Sequence, residues 1–236
     1  MKLADVAAVL ADDSRATMCL ALIDGRAWTV GELAAAARIA PSTASEHVGA
    51  LAAAGFVRTL KQGRHRYVRL EGRDVAELIE RLAHHGGHEP PKGLRASVRA
   101  RRLAAARTCY DHLAGRLGVA LRDGMLAEGL IDDRDGLVIT QRGRHTLGEL
   151  GVELGRPRRA LIRDCLDWTE RREHLAGAVP AAILDRALAA GWLTRDPHRA
   201  VRIGDSAWPA LARLGIDARR ARSIDAPGTA SARQSG

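Results

Sequence analysis

The sequence has 236 residues, of which 46% are hydrophobic, and it carries a formal net charge of +9 at pH 7. This length accommodates two domains with packed cores, and the basic excess favours a polyanionic partner, nucleic acid first and an anionic membrane surface second. Apolar runs are too short for a transmembrane helix, and the N-terminus lacks a signal-peptide layout. Three widely spaced cysteines argue against a disulfide framework. We therefore expect a soluble, cytoplasmic protein without a membrane partner.

The first part of the chain predicts a series of short capped helices. Thr29 and Glu32 have the T-x-x-E spacing of a capping box and open one helix. A second helix is predicted over 43–54, capped by Ser42 or Thr43 and stopped by Gly55. Its apolar positions follow helical spacing and should face the core; they are Ala44, Val48 and Leu51.

After Gly55 the periodicity changes from helical to alternating. The segments "FVRTL" and "RYVRL" flank "KQGRH" and predict a hairpin with its turn at Gly63. A capped helix, "DVAELIERLAHH", completes a predicted winged helix-turn-helix domain over residues 1–86.

This arrangement suits double-stranded DNA, because a helix fits the major groove and a basic wing can neutralise phosphates or enter the minor groove. A winged helix that binds protein instead is the alternative. The predicted DNA-binding residues are Ser42, Thr43, Ser45, Glu46, His47, Lys61, Arg64, His65 and Arg66.

Residues 4–85 resemble the ArsR/SmtB family of bacterial repressors, through "STASEHVGALAAAGFV" and the basic hairpin after it. The resemblance implies that the first phrase is the recognition helix and the hairpin is the wing. It also implies a homodimer joined through the first and last helices of this domain, bound to an inverted-repeat operator and released by an inducer. The family's metal sites do not transfer: "VGELAAAARI" has no cysteine, and Ala76 replaces an expected histidine.

The second part of the chain begins after a Gly- and Pro-rich linker. The linker is predicted over 87–93, a C-terminal sensor or dimerisation domain over 94–216, and a disordered tail over 217–236. The domain should open with one long basic helix over 94–121. Residues 125–152 and 187–216 echo one another as helix, glycine, short strand and helix, which suggests winged-helix-like repeats.

Two phrases of this second part, "RTCYDHLAGRLGVAL" and "RDCLDWTERREHLAG", resemble the carboxy-terminal extension of a longer subgroup of ArsR-like regulators. Cys109 and His112 would share a helical face, and packing of a second helix would add Cys165 and His174. Thiolate and imidazole ligands suit a transition-metal ion or a metalloid. The alternative is that these cysteines are small buried hydrophobes and His112 is a hydrogen-bonded core residue.

Two other signals stay open alongside a metal. A thiol-based redox sensor would use the same cysteines with Arg107 or Arg163 nearby. An organic ligand would need an aromatic-lined pocket, for which Tyr110, Trp168 and Trp192 are the candidates.

The sequence as a whole predicts a mainly α protein with short β-hairpin wings, an N-terminal winged helix-turn-helix and a helical C-terminal domain. Its predicted function is a homodimeric repressor released by a metal, metalloid or small molecule. The alternative function is a ligand-, metal- or protein-binding module that uses the winged domain as a scaffold. No nucleotide-binding or hydrolase motif supports an enzyme.

Overall fold

The computed structural model describes residues 2–62, 65–85, 94–155, 157–196, 199–217 and 224. The chain divides into two compact units, residues 1–87 and 88–236, and each is described by itself below. Within the described ranges, no helix combines the length and the apolar character needed to cross a membrane. The predicted linker over 87–93 and the tail beyond Asp217, apart from Ile224, lie outside the described residues.

In its described residues, the first unit contains five helices and a three-stranded antiparallel sheet with the strand order β1-β3-β2. The elements are α1 (Leu3–Leu10), α2 (Asp13–Leu22), β1 (Trp28–Thr29), α3 (Val30–Ala37), α4 (Pro41–Ala53), β2 (Val57–Gln62), β3 (His65–Leu70) and α5 (Arg73–His85). The predicted capping box at α3 is present, since Thr29 accepts from the amide of Glu32 and the Glu32 carboxylate accepts from the amide of Thr29. Mainly helical structure with small hairpins confirms the predicted fold class.

Helix α4 packs on the core through the predicted residues, since Ala44, Val48 and Leu51 are all fully buried. Its start differs from the prediction. Pro41 occupies the first helical turn and Ala40 is the N-cap, without a side-chain cap. Proline is favoured in this position because the first helical amide has no intrahelical acceptor. Ser42 and Thr43 therefore lie within the first turn and are not the cap.

The second unit contains four hairpins, five α-helices and one short 3-10 helix in its described ranges. The elements are α6 (Leu94–Ala105), β4 (Arg107–Cys109), β5 (His112–Ala114), α7 (Gly115–Ala127), β6 (Ile131–Asp132), β7 (Val138–Ile139), α8 (Gln141–Glu149), β8 (Arg163–Leu166), β9 (Glu173–Ala176), α9 (Ala178–Ala189), β10 (Leu193–Arg195), β11 (Val201–Ile203), the 3-10 turn (Asp205–Ala207) and α10 (Trp208–Arg213).

The predicted single helix over 94–121 is wrong. Helix α6 ends at Ala105, and the β4–β5 hairpin separates it from α7. Gly115 has a φ of +75°, and a Cβ there would lie 2.7 Å from the carbonyl oxygen of Ala104. Because this conformation and this close approach both favour glycine, the chain breaks between β5 and α7 here in spite of its helix-forming alanines.

The second unit is an internal repeat of one pattern, namely hairpin, helix, hairpin, helix. The first half runs from β4 to α8, and the second half runs from β8 to α10. The halves pack reciprocally: α7 of the first half lies against β9, and α9 of the second half lies against β5. One hydrophobic core therefore contains residues from both halves, including Leu117, Met125, Leu175 and Ile183.

The halves also meet where two glycines allow backbones to touch. A Cβ on Gly124 of α7 would lie 2.7 Å from backbone atoms of Leu214 and Gly215. Backbone atoms cannot move aside as a flexible side chain can, so this contact requires a residue without a side chain.

We expect Gly124→Ala to destabilise the second unit by about 1–3 kcal/mol, because the added methyl group overpacks the contact. The matched control is Gly148→Ala in α8, where an added Cβ has no neighbour within 4 Å. The control should be neutral or slightly stabilising, since alanine favours helix over glycine. Denaturant unfolding of both variants measures the difference, and equal stabilities would contradict the close contact.

Candidate functional site

Helix α4 presents a polar surface opposite its core face. Ser42, Ser45 and Glu46 are exposed, whereas Thr43 and His47 are partly buried. The ring of His47 already has neighbours: its Nδ1 lies 3.5 Å from Nη1 of Arg15, and its Nε2 lies 3.9 Å from a carboxylate oxygen of Asp12. His47 is therefore held against the start of α2, and its contact with DNA stays a prediction.

The hairpin β2–β3 places basic residues opposite one another. Lys61 pairs with Arg66 and Arg58 pairs with Arg69 in the strand register. Like charges in such positions repel, which an external anion would relieve. Lys61, Arg58 and Arg66 are exposed. Of the other predicted wing residues, Arg64 lies outside the described residues, and only the backbone of His65 is described.

The second unit brings together all four residues predicted as metal ligands. Cys109, His112, Cys165 and His174 each offer one sulfur or nitrogen atom, and these atoms all lie within 4.8 Å of one another. Three of the residues are buried and Cys165 is partly buried. Nε2 of His112 lies 3.1 Å from Nε2 of His174.

The cluster forms in a different way from the predicted one. Two helices were expected to pack together, but the ligands lie on two hairpins. Cys109 faces His112 across β4–β5, and Cys165 faces His174 across β8–β9. Directly opposite residues of antiparallel strands have Cβ atoms about 4.5–5.5 Å apart, so each hairpin presents a ready Cys–His pair.

Each imidazole of the cluster also faces a carboxylate through Nδ1. Nδ1 of His112 lies 3.1 Å from Asp111, which accepts from Arg159 at 2.6 Å. Nδ1 of His174 lies 3.3 Å from Oδ2 of Asp167, but the two atoms do not form a hydrogen bond. Each ring thus has an acid from its own half of the repeat beside Nδ1.

Asp167 is the most heavily supported of these acids. Its carboxylate accepts from Nη2 of Arg107 at 2.9 Å, from the Thr169 hydroxyl at 2.7 Å and from the Gly115 amide at 2.6 Å. Burial works to raise the pKa of Asp167, but Arg107 and the other partners outweigh it and hold that pKa well below its usual range. Asp167 is therefore a buried, ionised carboxylate.

The cysteines of the chain differ in ionisation. A hydrogen bond from Cys109, joined by His112 and His174, outweighs burial and lowers the pKa of Cys165 far below the usual thiol value. Burial tends to lower the pKa of His112, but hydrogen bonds with Asp111 and Cys165 give a net rise. In contrast, burial raises the pKa of Cys19 to about 12. The cluster therefore favours a thiolate at Cys165, which is the form that binds metals.

Sequence reasoning missed the supporting roles of Asp111, Arg159 and Asp167, and it considered Arg107 only as a cation near redox-active cysteines. A signal for most of them was present. Both halves read Arg-x-Cys-x-Asp followed by His-Leu-Ala-Gly, at 107–115 and at 163–177. The second copy differs by the insertion of residues 168–173 between the Asp and the His. Aligning the two copies would have paired the ligands and their acids.

The three aromatic residues predicted to line a pocket each have their own surroundings. Tyr110 lies in the β4–β5 turn with a φ of 56°. The guanidinium of Arg107 lies 4.4 Å from the ring centre of Trp168, and that of Arg186 lies 5.4 Å from the ring centre of Trp192. The pocket itself stays a prediction.

Comparison with known proteins agrees with the fold of the first unit. The family model "Helix-turn-helix domain" matches residues 10–59. The chain is 41% identical over 209 residues to the uncharacterized HTH-type transcriptional regulator YdfF of Bacillus subtilis, covering 86% of this chain and 92% of that protein. This match extends through most of the second unit.

Two solved structures are similar to a part of the chain. The winged helix-turn-helix domain of Mb0332 from Mycobacterium bovis, a possible ArsR-family regulator, is 30% identical with a TM-score of 0.33, covering 36% of this chain and 77% of that one. Reduced HlyU from Vibrio cholerae is 24% identical with a TM-score of 0.33, and the match covers 36% of this chain and 88% of that one.

The fold and the matched residues define a winged helix-turn-helix, DNA-binding transcriptional regulator. The chain belongs to the ArsR family of these regulators, in a longer form with a carboxy-terminal extension.

We expect Arg107→Met to destabilise the second unit by about 3–5 kcal/mol, because it leaves the buried carboxylate of Asp167 without its cation. Arg172→Ala is the control, since its ion pair with Asp123 is exposed and should contribute less than about 1 kcal/mol. Chemical denaturation monitored by circular dichroism gives both values. A loss of stability no larger for Arg107 than for Arg172 would contradict the assigned role of the buried pair.

Proposed function

We propose that the protein is a homodimeric repressor that leaves an inverted-repeat operator when a metal or metalloid ion binds its second unit. The observation that carries this proposal is the convergence of two thiols and two imidazoles within 4.8 Å in a chain that also holds a DNA-binding domain. The ion would be the inducer, and the winged domain would bind the operator and release it.

The surface of α4 and the wing supports the DNA-binding half of the proposal. No side chain caps the start of helix α4, because its N-cap is Ala40. The backbone amides of the first turn can therefore donate to a phosphate. The hydroxyls of Ser42 and Ser45 are exposed on the same helix and are small enough to approach base edges. Lys61 and Arg66 on the wing supply charge that phosphates would neutralise.

Exposed apolar residues support a dimer formed through α1 and α5. Leu3 of α1 is 85% exposed, and Leu78 and Leu82 of α5 are 39% and 47% exposed. Leu78 and Leu82 are one helical turn apart, so they form a single stripe that a second copy would cover. A two-fold dimer would present two α4 helices to two half-sites about one DNA turn apart, so its operator would be an inverted repeat.

Release by an ion requires only that the ion bind the form off DNA more tightly than the form on DNA. The same cysteines give a second candidate signal, since Cys109 hydrogen-bonds the acidic thiol of Cys165. A thiolate beside a second thiol is suited to disulfide formation. In that case an oxidant would release the DNA, and reductant would restore binding without any ion.

We expect Arg66→Ala to weaken binding to all DNA sequences alike, because it removes one phosphate contact, and to reduce the slope of log K against log salt by about 1.

Ser45→Ala should instead reduce discrimination between operator and mismatched sites, by about 1–3 kcal/mol for each base that the Ser45 hydroxyl recognises. Fluorescence anisotropy on an operator selected from random DNA measures both. Arg142→Ala in the second unit is the charge-matched control and should change neither.

We expect Zn²⁺ to lower the operator affinity of the reduced, metal-free protein by about 5- to 150-fold, the usual range of coupling between two sites. Cys165→Ser should bind operator as the metal-free protein does and lose the response. Cys19→Ala should keep the response, because Cys19 belongs to the first unit. A panel of Zn²⁺, Cd²⁺, Cu⁺ and arsenite identifies the inducer, and release by none of them would contradict ion sensing.

A further inference from the structure

We propose that the cluster is a tetrahedral Cys₂His₂ site for a divalent cation of the zinc type, in which Asp111 and Asp167 are positioning residues. The cation would bind Nε2 of His112 and of His174 together with the sulfur atoms of Cys109 and Cys165. This inference rests on the proposed function in taking the same four residues as ligands, and it adds the identity of the ion and the residues that orient its ligands.

The spacing of the two imidazoles fits this coordination. Zinc–nitrogen distances of about 2.0–2.1 Å at a tetrahedral angle place two nitrogen ligands about 3.3–3.4 Å apart. The two Nε2 atoms are 3.1 Å apart, and all four ligand atoms lie within 4.8 Å. Small shifts of the side chains, without movement of the strands, would therefore complete the tetrahedron.

The ligand set selects among ions. Two thiolates with two imidazoles suit Zn²⁺ and its analogues Co²⁺ and Cd²⁺, whereas Mg²⁺ and Ca²⁺ prefer oxygen ligands. A trivalent metalloid that requires three thiolates finds two cysteines here. Four protein ligands fill a tetrahedral coordination shell, so the site has no open position for a substrate.

The acids behind the histidines determine which nitrogen faces the ion. Asp111 and Asp167 each lie beside Nδ1 of one ring, so a proton on Nδ1 is favoured and Nε2 is left with a lone pair toward the cluster. Nδ1 of His174 is one of three buried side-chain polar atoms in the described part of the chain without a hydrogen-bond partner. Ion binding would draw its ring into alignment with Asp167.

The test is titration of the reduced, metal-free full chain with Co²⁺, followed by competition with Zn²⁺. We expect one Co²⁺ per chain, with the intense visible absorption of a tetrahedral ion and a thiolate-to-metal charge-transfer band that Cys165→Ser weakens, since only the Cys109 thiolate then remains. Weak octahedral absorption, or no saturable binding, would overturn the proposal.

Asp111→Asn tests the positioning role, because Asp111 is partly exposed and its replacement should not prevent folding. We expect the Zn²⁺ affinity to fall 10- to 100-fold while the tetrahedral Co²⁺ spectrum is retained. Asp164→Asn on the β8–β9 hairpin is the control and should keep the wild-type affinity, since the exposed carboxylate of Asp164 pairs with Arg122 and successive side chains of a strand point to opposite faces. An Asp111→Asn affinity equal to wild type would overturn the positioning role.

Operator binding measured on the same samples separates this inference from the proposed function. A tetrahedral site whose loading leaves operator affinity unchanged supports the inference and contradicts ion-induced release. Zn²⁺-induced release without the tetrahedral spectrum supports the proposed function and overturns the inference.

Discussion

The buried carboxylate of Asp167 joins several separate elements of the second unit. A charge removed from water is tolerated only when several donors replace the lost hydration. Here the donors come from separate parts of the chain: Arg107 begins β4, Gly115 begins α7, and Thr169 lies in the loop after β8. Satisfying one carboxylate therefore fixes where two hairpins and a helix meet, and His174 is placed beside the same group.

The repeat explains why the ligand cluster lies inside the second unit and not on its surface. Each half packs its helix on the hairpin of the other half, so β5 and β9 come together at the centre of the unit. The Cys–His pairs of the two hairpins then face one another, and the acids Asp111 and Asp167 occupy equivalent positions behind them. Packing of apolar helices thus assembles a polar site.

Much of the first unit could be predicted from the sequence, because its signals are local. A capping box, a periodic apolar face and an alternating hairpin each act within a few residues, and α3, α4 and the wing follow them. The residues of the cluster could also be named, but not their geometry. The β4–β5 hairpin depends on contacts of Arg107 and Gly115 with Asp167, which lies 60 and 52 positions further along the chain, and these contacts override the helical preference of the surrounding alanines.

A set of ligands divided equally between two equivalent halves has a consequence for ancestry. One half supplies a thiol and an imidazole, so two identical copies related by a two-fold axis would supply the full set between them. Duplication and fusion of such a half would turn a site shared by two chains into a site within one chain. Fused halves would be free to diverge, and the segment 168–173, which is present only in the second hairpin, would be one such difference.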